Sequence, residues 1–589
     1  MDLPRRHKLT VLGLPCWGVD QPFHAVALVA AVARDAGIEV SAHDLNIEVF
    51  NRADEGDRIL WEQSHTRLWF VEEMPLAMWD RYGAWIRQRL DEIVARDRPS
   101  LVGFSVNLAT RFLSLYCARY LKATYPEITV LFGGVDCFPQ EKYTAFLEDD
   151  QGPSCDILCT GECEVALARF VRELLETGEW RTSVPGFAYR DREGRIRCTG
   201  EVELPSLKGR NPVPAYDLLD LSVYRGPGTL PFYLSRGCVY RCHFCSERRN
   251  FAPFRWRDAE EAFSELQAVL PLARRWADPP SLALVDSNLN SNLRELRRFV
   301  DLLLESKTKI MWGGQAHLSA SMTTELLERM AAAGFGSVFW GFEHASQHVI
   351  DCMGKEYQQG VARRIIADCR RLGIQQHLPI LVGFPGERPS DVAELAEFIL
   401  EHRDCEGVFL LEPALLVVRR NSTLYDSFEQ FGLTTNQLDY EWWLSDETNT
   451  LPIRVVRRYV LRQAHGNRDL SLDGLVDTEE ILNVALDHEG TGGDLLEVLW
   501  HLALRAEAVA ELVDRVARAA GGGPSERLPE PSLDGLRAGW RAVAKDSAAG
   551  REWVADLILL MLRRLRQRIA TRPCSGPGPA AVSSPAPTR

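Results

Sequence analysis

The chain has 589 residues, of which 46% are hydrophobic and 25% charged, and its formal net charge is −14. This length is too great for one hydrophobic core, so we expect two to four domains. The acidic balance argues against a nucleic-acid-binding surface, and no apolar run reaches the about 18 residues of a membrane span. The 14 cysteines follow no secreted disulfide pattern and no apolar signal region is found, so we expect a cytoplasmic protein.

The first third of the chain alternates strand and helix patterns. Strands are expected at 8–15, 38–46, 101–106, 129–134 and 156–159, and helices at about 23–36, 110–125 and 164–177. This alternation predicts a doubly wound α/β domain, whose ligand normally lies beyond the carboxyl ends of the strands. The candidate binding residues at those ends are Pro15, Trp17, Asn107, Gly133, Gly134, Val135, Asp136, Gly161 and Glu162.

A cysteine motif opens the central third. Cys238, Cys242 and Cys245 stand at C-x3-C-x2-C spacing, directly after the apolar run 230–234. Thiolates of this kind hold Fe–S clusters, and three ligands leave one iron open to an exchangeable ligand. A zinc site completed by His243 or a distant cysteine is the alternative. Zinc sites more often pair two C-x2-C units, and no second pair lies nearby.

Strands and helices alternate again after the motif. Further strands are expected at 282–285, 310–314, 337–341, 377–383 and 408–411, with helices at about 259–273, 292–306, 322–333, 358–372 and 390–402. Together with the strand before the cysteines, this makes six βα repeats and predicts a partial (β/α) barrel. Chemistry in such barrels gathers at the carboxyl ends of the strands.

The cysteine spacing, with Phe244 just before the third cysteine, is similar to the signature of the radical S-adenosylmethionine (SAM) enzymes, whose core also has six repeats. The resemblance implies a [4Fe–4S] cluster on the three cysteines. It further implies SAM contacts at strand-end residues that match the family pattern. These are Phe244, Asp286, Ser287, Gln315, Glu343, Gly383, Phe384 and Pro385. The usual Gly-Gly-Glu form is lacking near Asp286, which leaves the individual contacts there open.

The F-G-G turn at 132–134 and the T-G-E turn at 160–162 resemble those of the cobalamin-binding domain that precedes many radical SAM cores. This resemblance covers about residues 8–180 and implies that the strand-end candidates of the first domain bind cobalamin. No D-x-H-x-x-G loop supplies a histidine to cobalt, so the alternative is a vestigial domain without cofactor. Arg67 and Trp69, in a tryptophan-rich insertion, are candidates for the lower face of the corrin.

The predicted fold is α/β, with an N-terminal Rossmann-like cobalamin-binding domain, a central partial (β/α)6 radical SAM barrel and a C-terminal helical domain. The expected boundaries are 1–180 for the first domain, 181–226 for a linker, 227–425 for the radical SAM core, 426–572 for the helical domain and 573–589 for a tail. The tail is rich in Pro, Ser, Ala and Gly, and we expect it to be disordered.

Three functions compete. The first is cobalamin-dependent C-methylation, in which a methyl group passes from SAM via methylcobalamin to a carbon of a natural product, amino acid or peptide. The tryptophan C-methyltransferases of thiopeptide pathways resemble the chain in size and domain order, so a tryptophan-type substrate is a minor candidate. The second is a cobalamin-dependent cyclase or rearrangement enzyme without methyl transfer, and the third is a non-catalytic sensor. An enzyme of either kind needs an external electron donor. The sequence leaves the substrate and the oligomeric state open.

Overall fold

The computed structural model describes residues 7–138, 143–147, 154–226 and 228–433, together with Asn449, Arg454, Arg457, Arg458, Leu461, Ala464 and His465; the side chains at 63, 64, 67, 144 and 389 are not included. The chain divides into two compact units. The first contains the chain up to Arg241, Cys245–Phe342 and Gly360–Leu378. The second contains Cys242–Phe244, Glu343–Gln359 and the chain from Pro379 onward.

A seven-stranded sheet forms from the first two hundred residues. Its strands are β1 Lys8–Gly13, β2 Glu39–Asp44, β3 Leu101–Ser105, β4 Thr129–Gly133, β5 Ile157–Cys159, β6 Phe187–Arg190 and β7 Ile196–Cys198. Their order is β2-β1-β3-β4-β5-β6-β7. The first five are mutually parallel, whereas β6 and β7 form an antiparallel hairpin that extends the sheet. The predicted doubly wound domain is therefore confirmed.

The parallel strands read as almost continuous apolar runs because helices cover a parallel sheet on both faces. These helices and the segments between them are α1 His24–Asp35, α2 Leu45–Arg52, α3 Glu55–Arg58, α4 Glu73–Asp97, α5 Arg111–Thr124, α6 Tyr143–Leu147 and α7 Glu164–Thr177. In β1, every residue after Lys8 is buried. Gly37 follows α1 with φ 101°, a conformation that glycine adopts without strain.

A second parallel sheet of the first unit follows. Its strands are β8 Thr229–Phe232, β11 Ser281–Leu284, β12 Met311–Ala316, β13 Phe335–Trp340 and β14 Gln375–Leu378, and the short strands β9 Ser235–Arg236 and β10 Arg255–Trp256 pair with each other. Within this unit the order is β8-β11-β12-β13-β14, with every pair parallel. The helices between them are α8 Glu247–Asn250, α9 Ala259–Trp276, α10 Leu293–Glu305, α11 Thr324–Ala332 and α13 Gln359–Arg371.

The second unit is built of shorter elements. They are α12 Gln347–Cys352, β15 Leu381–Val382, α14 Pro389–His402, β16 Val408–Leu410, β17 Ala414–Leu415 and α15 Thr423–Asp426, with β15 parallel to β17. Each of the six strands predicted around the cysteine motif is present. The strand expected over 377–383 is divided into β14 and β15 at Pro379, which has no N–H to donate to a neighbouring strand.

The C-terminal predictions fall largely outside the described residues. Of the helical domain expected at 426–572, the structure describes residues 426–433 and seven positions between 449 and 465, and the tail expected at 573–589 lies outside the described residues. The domain boundaries therefore stay predictions. Within the described ranges, no helix combines the length and the apolar character that crossing a bilayer requires.

Candidate active site

The candidate cobalamin residues share one edge of the first sheet. Parallel strands end on the same side, so the loops after β1, β3, β4 and β5 lie along that edge. The order β2-β1-β3-β4-β5 has its topological switch point between β1 and β3, which is where ligands of such sheets bind. Pro15 and Trp17 follow β1 at this point, and Asn107 follows β3.

The loop after β1 is anchored by one buried amide. The Asn46 side chain accepts a hydrogen bond from the backbone N–H of Trp17 over 3.1 Å and donates to the carbonyl oxygens of Trp17 and Gly18 over 3.3 and 3.2 Å. The Trp17 ring stacks on Phe23 at 4.8 Å and stays 38% exposed. An exposed indole held in place at the switch point suits a large, partly apolar ligand.

The G-G turn after β4 has no room for a side chain. Gly134 adopts φ 113°, and a Cβ atom there would lie 2.3 Å from the Val106 carbonyl oxygen. The Val106 N–H donates to the Gly133 carbonyl over 2.6 Å, which ties the turn to the loop after β3. Asp136 is buried beside Arg111 at 3.4 Å, while Val135 is exposed.

Two other candidates for the cobalamin site form hydrogen bonds within the protein. The Asn107 side chain accepts from the N–H groups of Ala109 and Thr110 over 2.9 and 3.1 Å, and so stabilises its own turn. Trp69 is fully buried, and its Nε1 donates to the Leu60 carbonyl over 2.7 Å. The side chain of Arg67 lies outside the described residues. A role for Trp69 and Arg67 at the corrin stays a prediction.

The T-G-E turn after β5 reaches the cysteine motif. A Cβ atom on Gly161 would lie 2.3 Å from Val202 Cγ1, so this turn is closely packed. Glu162 is buried, and its carboxylate accepts from Arg236 over 2.7 Å and from Arg255. Neither arginine was singled out by sequence reasoning, because nothing local in the sequence links them to a turn more than 70 residues earlier.

Asp286 and Ser287 hold the two ends of the cysteine motif. The Asp286 carboxylate accepts from the Leu234 N–H over 3.0 Å and from Ser235 Oγ over 2.5 Å. Ser287 Oγ donates to Glu247 over 2.8 Å, at the start of α8. Burial raises the pKa of Asp286 to about 6, against these hydrogen bonds. Both residues had been predicted to contact SAM, and in this structure they position the segments before and after the cysteines.

Two residues of the motif region were missed from the sequence. The Tyr240 ring, between the first two cysteines, stacks on the His317 ring at 3.7 Å with an interplanar angle of 11°. The backbone of His317 is fixed in turn by the Asn290 amide, which accepts from its N–H and donates to its carbonyl, both over 2.9 Å. Gln315, the predicted SAM contact on β12, is exposed. Two features of the sequence could have identified Tyr240 and His317: an aromatic residue between the first two cysteines and a histidine at the end of a strand.

In the second unit, His243 braces the Met-Gly-Lys segment 353–355. Its backbone N–H donates to the Met353 carbonyl over 2.9 Å, and its Nδ1 donates to the Cys352 carbonyl over 3.0 Å. Gly354 adopts φ 66°, with the His243 ring 2.7 Å from where its Cβ would stand. These contacts give His243 a structural role, which weighs against its use as the fourth ligand of a zinc site.

Glu343 occupies a constrained position after β13. Its φ is 64°. Its backbone N–H donates a hydrogen bond to the Pro379 carbonyl, and its carbonyl accepts one from the N–H of Leu381, the first residue of β15. Lys355 donates to its carboxylate over 3.1 Å and lies 5.9 Å above the Phe244 ring. A left-handed conformation in a non-glycine residue is the kind of strain found at functional sites.

The loop 383–385, whose three residues are predicted SAM contacts, is held from several sides. Gly383 adopts φ 84° and lacks room for a Cβ, which would lie 2.3 Å from Arg454. Its N–H donates to Glu387 over 2.8 Å, and the Asn449 amide donates to the carbonyls of Gly383 and Phe384 over 3.0 and 3.1 Å. Phe384 is buried, with its ring 6.4 Å from that of Phe244. Pro385 follows in the same buried loop.

Charges beneath this loop are paired. Arg457 donates to Glu387 over 3.0 Å, and both side chains are buried. Burial raises the pKa of the Glu387 carboxyl, and the Arg457 guanidinium opposes that rise. Burial, together with Arg457, lowers the pKa of neighbouring His344 to about 3, so this imidazole is neutral at pH 7. Asn449, Arg454 and Arg457 were not predicted.

The three motif cysteines are of intermediate burial. Soft thiolates on one short loop are the donor set that Fe–S clusters take. Among the residues that the structure describes, no three His, Cys, Asp or Glu side chains are gathered so as to hold a metal ion.

Comparison with known proteins identifies the family and the relatives that the sequence resembles. Residues 232–399 match the profile of the Radical SAM superfamily. An uncharacterized methyltransferase of Pyrococcus horikoshii is 24% identical over 315 residues, which are 52% of this chain and 65% of that protein. An anaerobic magnesium-protoporphyrin IX monomethyl ester cyclase of Rubrivivax gelatinosus is 23% identical over 309 residues, 50% of this chain and 53% of the cyclase. The chain thus spans less than two thirds of each relative's length.

Two solved structures share the fold. The cobalamin-dependent SAM radical enzyme OxsB, with aqua-cobalamin bound, superposes with a TM-score of 0.60 at 15% identity, over 96% of this chain and 81% of OxsB. The radical SAM methyltransferase TsrM of Kitasatospora setae, with cobalamin and a [4Fe–4S] cluster bound, has a TM-score of 0.52 at 17% identity, over 72% of this chain and 78% of TsrM. Residues 232–399 thus match the Radical SAM superfamily, and the chain shares the fold of OxsB and TsrM.

Proposed function

We propose that this chain is a cobalamin-dependent radical SAM C-methyltransferase. One observation carries the proposal: a radical SAM domain follows, in the same chain, a parallel sheet whose carboxyl edge presents an exposed tryptophan and the tight G-G and T-G-E turns. Sheets of this order bind ligands at that edge. The methyltransferases among the relatives and fold neighbours support the reaction class.

The residue types and spacings of the chain suit the cluster, the cobalamin and the SAM that this chemistry requires. Cys238, Cys242 and Cys245 would hold a [4Fe–4S] cluster, and the loops after β1, β3, β4 and β5 would hold cobalamin. When bound, the cluster supplies the electron that activates SAM, and cobalamin serves as the methyl carrier. The protein's contribution to such reactions is to bind, orient and shield these groups.

The side chains of this chain then orient SAM. The Glu343 carboxylate, fixed by Lys355, is available for the ribose hydroxyls, and the braced backbone of Gly383 and Phe384 is available for the adenine. Asp286 and Ser287 act on SAM only indirectly, because their side chains are hydrogen-bonded to Ser235 and Glu247, which lie before and after the three cysteines.

The substrate we propose is a natural product, an amino acid or a peptide. A tryptophan-type substrate remains a minor candidate, since TsrM has also been solved with tryptophan bound. The reaction further needs an external electron donor, and an oxygen-sensitive cluster suits a reducing cytoplasm.

A second candidate is a cyclase or rearrangement enzyme that uses the same cofactors without methyl transfer. The magnesium-protoporphyrin IX monomethyl ester cyclases among the relatives favour it. A non-catalytic sensor has no specific observation in its support.

Anaerobic reconstitution tests these functions. The protein is loaded with iron, sulfide and hydroxocobalamin, its optical spectrum is recorded, and SAM products are identified by mass spectrometry after reduction. S-adenosylhomocysteine with a methylated product supports methyl transfer, whereas 5′-deoxyadenosine without methylation favours the second candidate. A protein that binds no cobalamin contradicts both. Cys238→Ala should lose the cluster, with Cys198→Ala, an exposed cysteine on β7, as the matched control.

A further inference from the structure

Glu162 lies in a buried ion network with the strands that frame the cysteine motif. Its side chain is only 6% exposed. One carboxylate oxygen accepts from Arg236 over 2.7 Å and the other accepts from Arg255. Arg236 also pairs with Glu164 over 2.5 Å. Two arginines thus face two carboxylates, and the network is neutral.

The two arginines stand opposite each other in the same small sheet. Arg236 on β9 is in register with Arg255 on β10, and Cys238 follows Arg236 by two residues. Gly237 between them has φ 79° and would place a Cβ 2.5 Å from the Phe251 carbonyl oxygen. The chain between Arg236 and the first cysteine is therefore closely packed against the segment after α8, with no room for a side chain at Gly237.

The side chain of Arg236 is held on its other side as well. Its guanidinium lies 4.8 Å from the centre of the Tyr233 ring, and that of Arg257 lies 5.0 Å from the same ring. Arg236 is thus held by two carboxylates and by an aromatic ring. Removing the Glu162 charge takes from buried Arg255 the carboxylate it pairs with, which is unfavourable.

We propose that Glu162 is a positioning residue for the cysteine motif, acting through Arg236 and Arg255, and not a direct contact of cobalamin. The T-G-E turn and the cysteine motif would then move as one body, so that the edge of the first sheet and the cluster keep a fixed separation. This inference rests on the proposed function for its meaning, since it concerns how two cofactor sites of one enzyme are held together.

Glu162→Gln tests the inference, with Glu203→Gln as the matched control because Glu203 forms an exposed pair with Arg169. In the reconstituted holoprotein we measure iron release to a chelator, the EPR spectrum of the reduced cluster and the affinity for hydroxocobalamin. We expect Glu162→Gln to release iron about tenfold faster and to change the EPR spectrum. Its cobalamin affinity should stay within about twofold of the wild type. Glu162→Asp, which keeps the charge, should restore much of the cluster retention.

Arg255→Gln separates the remaining outcomes, and it carries the test alone if Glu162→Gln does not fold. It leaves the Glu162 carboxylate in place, so it should release iron faster without loss of cobalamin affinity. Weaker cobalamin binding in Glu162→Gln but not in Arg255→Gln would overturn the inference, as would unchanged iron release in both. If the wild type binds no hydroxocobalamin, the proposed function fails, while the iron-release comparison still decides whether Glu162 positions the cysteines.

Discussion

The Nη1 atom of Arg457 donates a hydrogen bond to Oε1 of Glu387 over 3.0 Å, although 70 residues separate the two in sequence. The other oxygen of the same carboxylate accepts from the Gly383 N–H. A residue beyond the radical SAM domain thus supports, through one buried carboxylate, the loop that we expect to meet the adenine of SAM.

Arg457→Gln should therefore weaken SAM binding. The substitution leaves the Glu387 carboxylate buried without its cation, and breaking such a pair costs about 3–5 kcal/mol. Part of that cost should appear as an affinity for SAM lowered about tenfold, equivalent to about 1.4 kcal/mol. Equilibrium dialysis of SAM against the reconstituted protein measures it. Arg371→Gln, which removes an exposed pair with Glu328, is the control. Equal SAM affinity in the two variants would contradict the prediction.

The regular elements were predictable from local pattern. The helix expected at 358–372 is observed as Gln359–Arg371, and that expected at 390–402 as Pro389–His402. Both have an apolar face with helical period and a stretch of polar sequence at each end, and these signals depend only on neighbouring residues. The support of Gly383 by Asn449 and Arg457 has no such signal, because it joins segments more than 60 residues apart.

The positions of the strand-end residues could be predicted from the sequence, but the groups that their side chains contact could not. Asp286 and Glu162 both lie at the carboxyl ends of parallel strands, as the sequence indicated. The direction of a carboxylate depends on which cations and N–H groups the fold brings near it. For Glu162 these are two arginines from a later sheet, and for Asp286 the backbone before the cysteine motif. Tertiary contacts of this kind cannot be read from spacing.

Tyr240→Leu should loosen the cysteine motif. The substitution removes the ring that stacks on His317 at 3.7 Å, and aromatic pairs contribute about 0.5–1.5 kcal/mol beyond the area they bury. We expect iron release to a chelator to become a few-fold faster, consistent with about 1 kcal/mol. Tyr240→Phe keeps the ring and should behave as the wild type. If the leucine variant retains iron as well as the phenylalanine variant, the stack does not hold the motif.

Asp286 should make stability depend on pH in a definite direction. Burial raises its folded-state pKa to about 6 from an ordinary value of 3.8. Its contribution is therefore fully present below about pH 4 and is lost as the pH rises through about 6. The difference of about two pH units corresponds to about 3 kcal/mol. Asp286→Asn removes this dependence. The free energy of unfolding of the variant, relative to that of the wild type, should therefore rise by about 3 kcal/mol between pH 4 and pH 7.

Urea unfolding of wild type and Asp286→Asn at pH 4, 5, 6 and 7 measures this difference. Other carboxyl groups titrate equally in both proteins and cancel in the comparison. A stability difference that stays constant over this range would show that folding does not raise the pKa of Asp286.

Gly134→Ala should destabilise the first sheet and abolish cobalamin binding. The new Cβ would lie 2.3 Å from the Val106 carbonyl oxygen, so the G-G turn must move away from the loop after β3. Overpacking costs about 1–3 kcal/mol, and the Gly134 conformation, φ 113° and ψ 173°, costs a non-glycine residue about 1–3 kcal/mol more. Gly178→Ala is the control without overpacking, because Gly178 also has a positive φ, 74°, but no atom within 4 Å of the added Cβ.

Thermal unfolding and hydroxocobalamin titration of the two variants provide the measurement. Gly178→Ala should lower the melting temperature modestly and bind cobalamin as the wild type does, whereas Gly134→Ala should lose both stability and binding. Loss of stability with cobalamin binding retained would show that the turn after β4 lies away from the cofactor. That result would restrict the cobalamin site to the switch point between β1 and β3, where the anchored and exposed Trp17 ring would be its main contact.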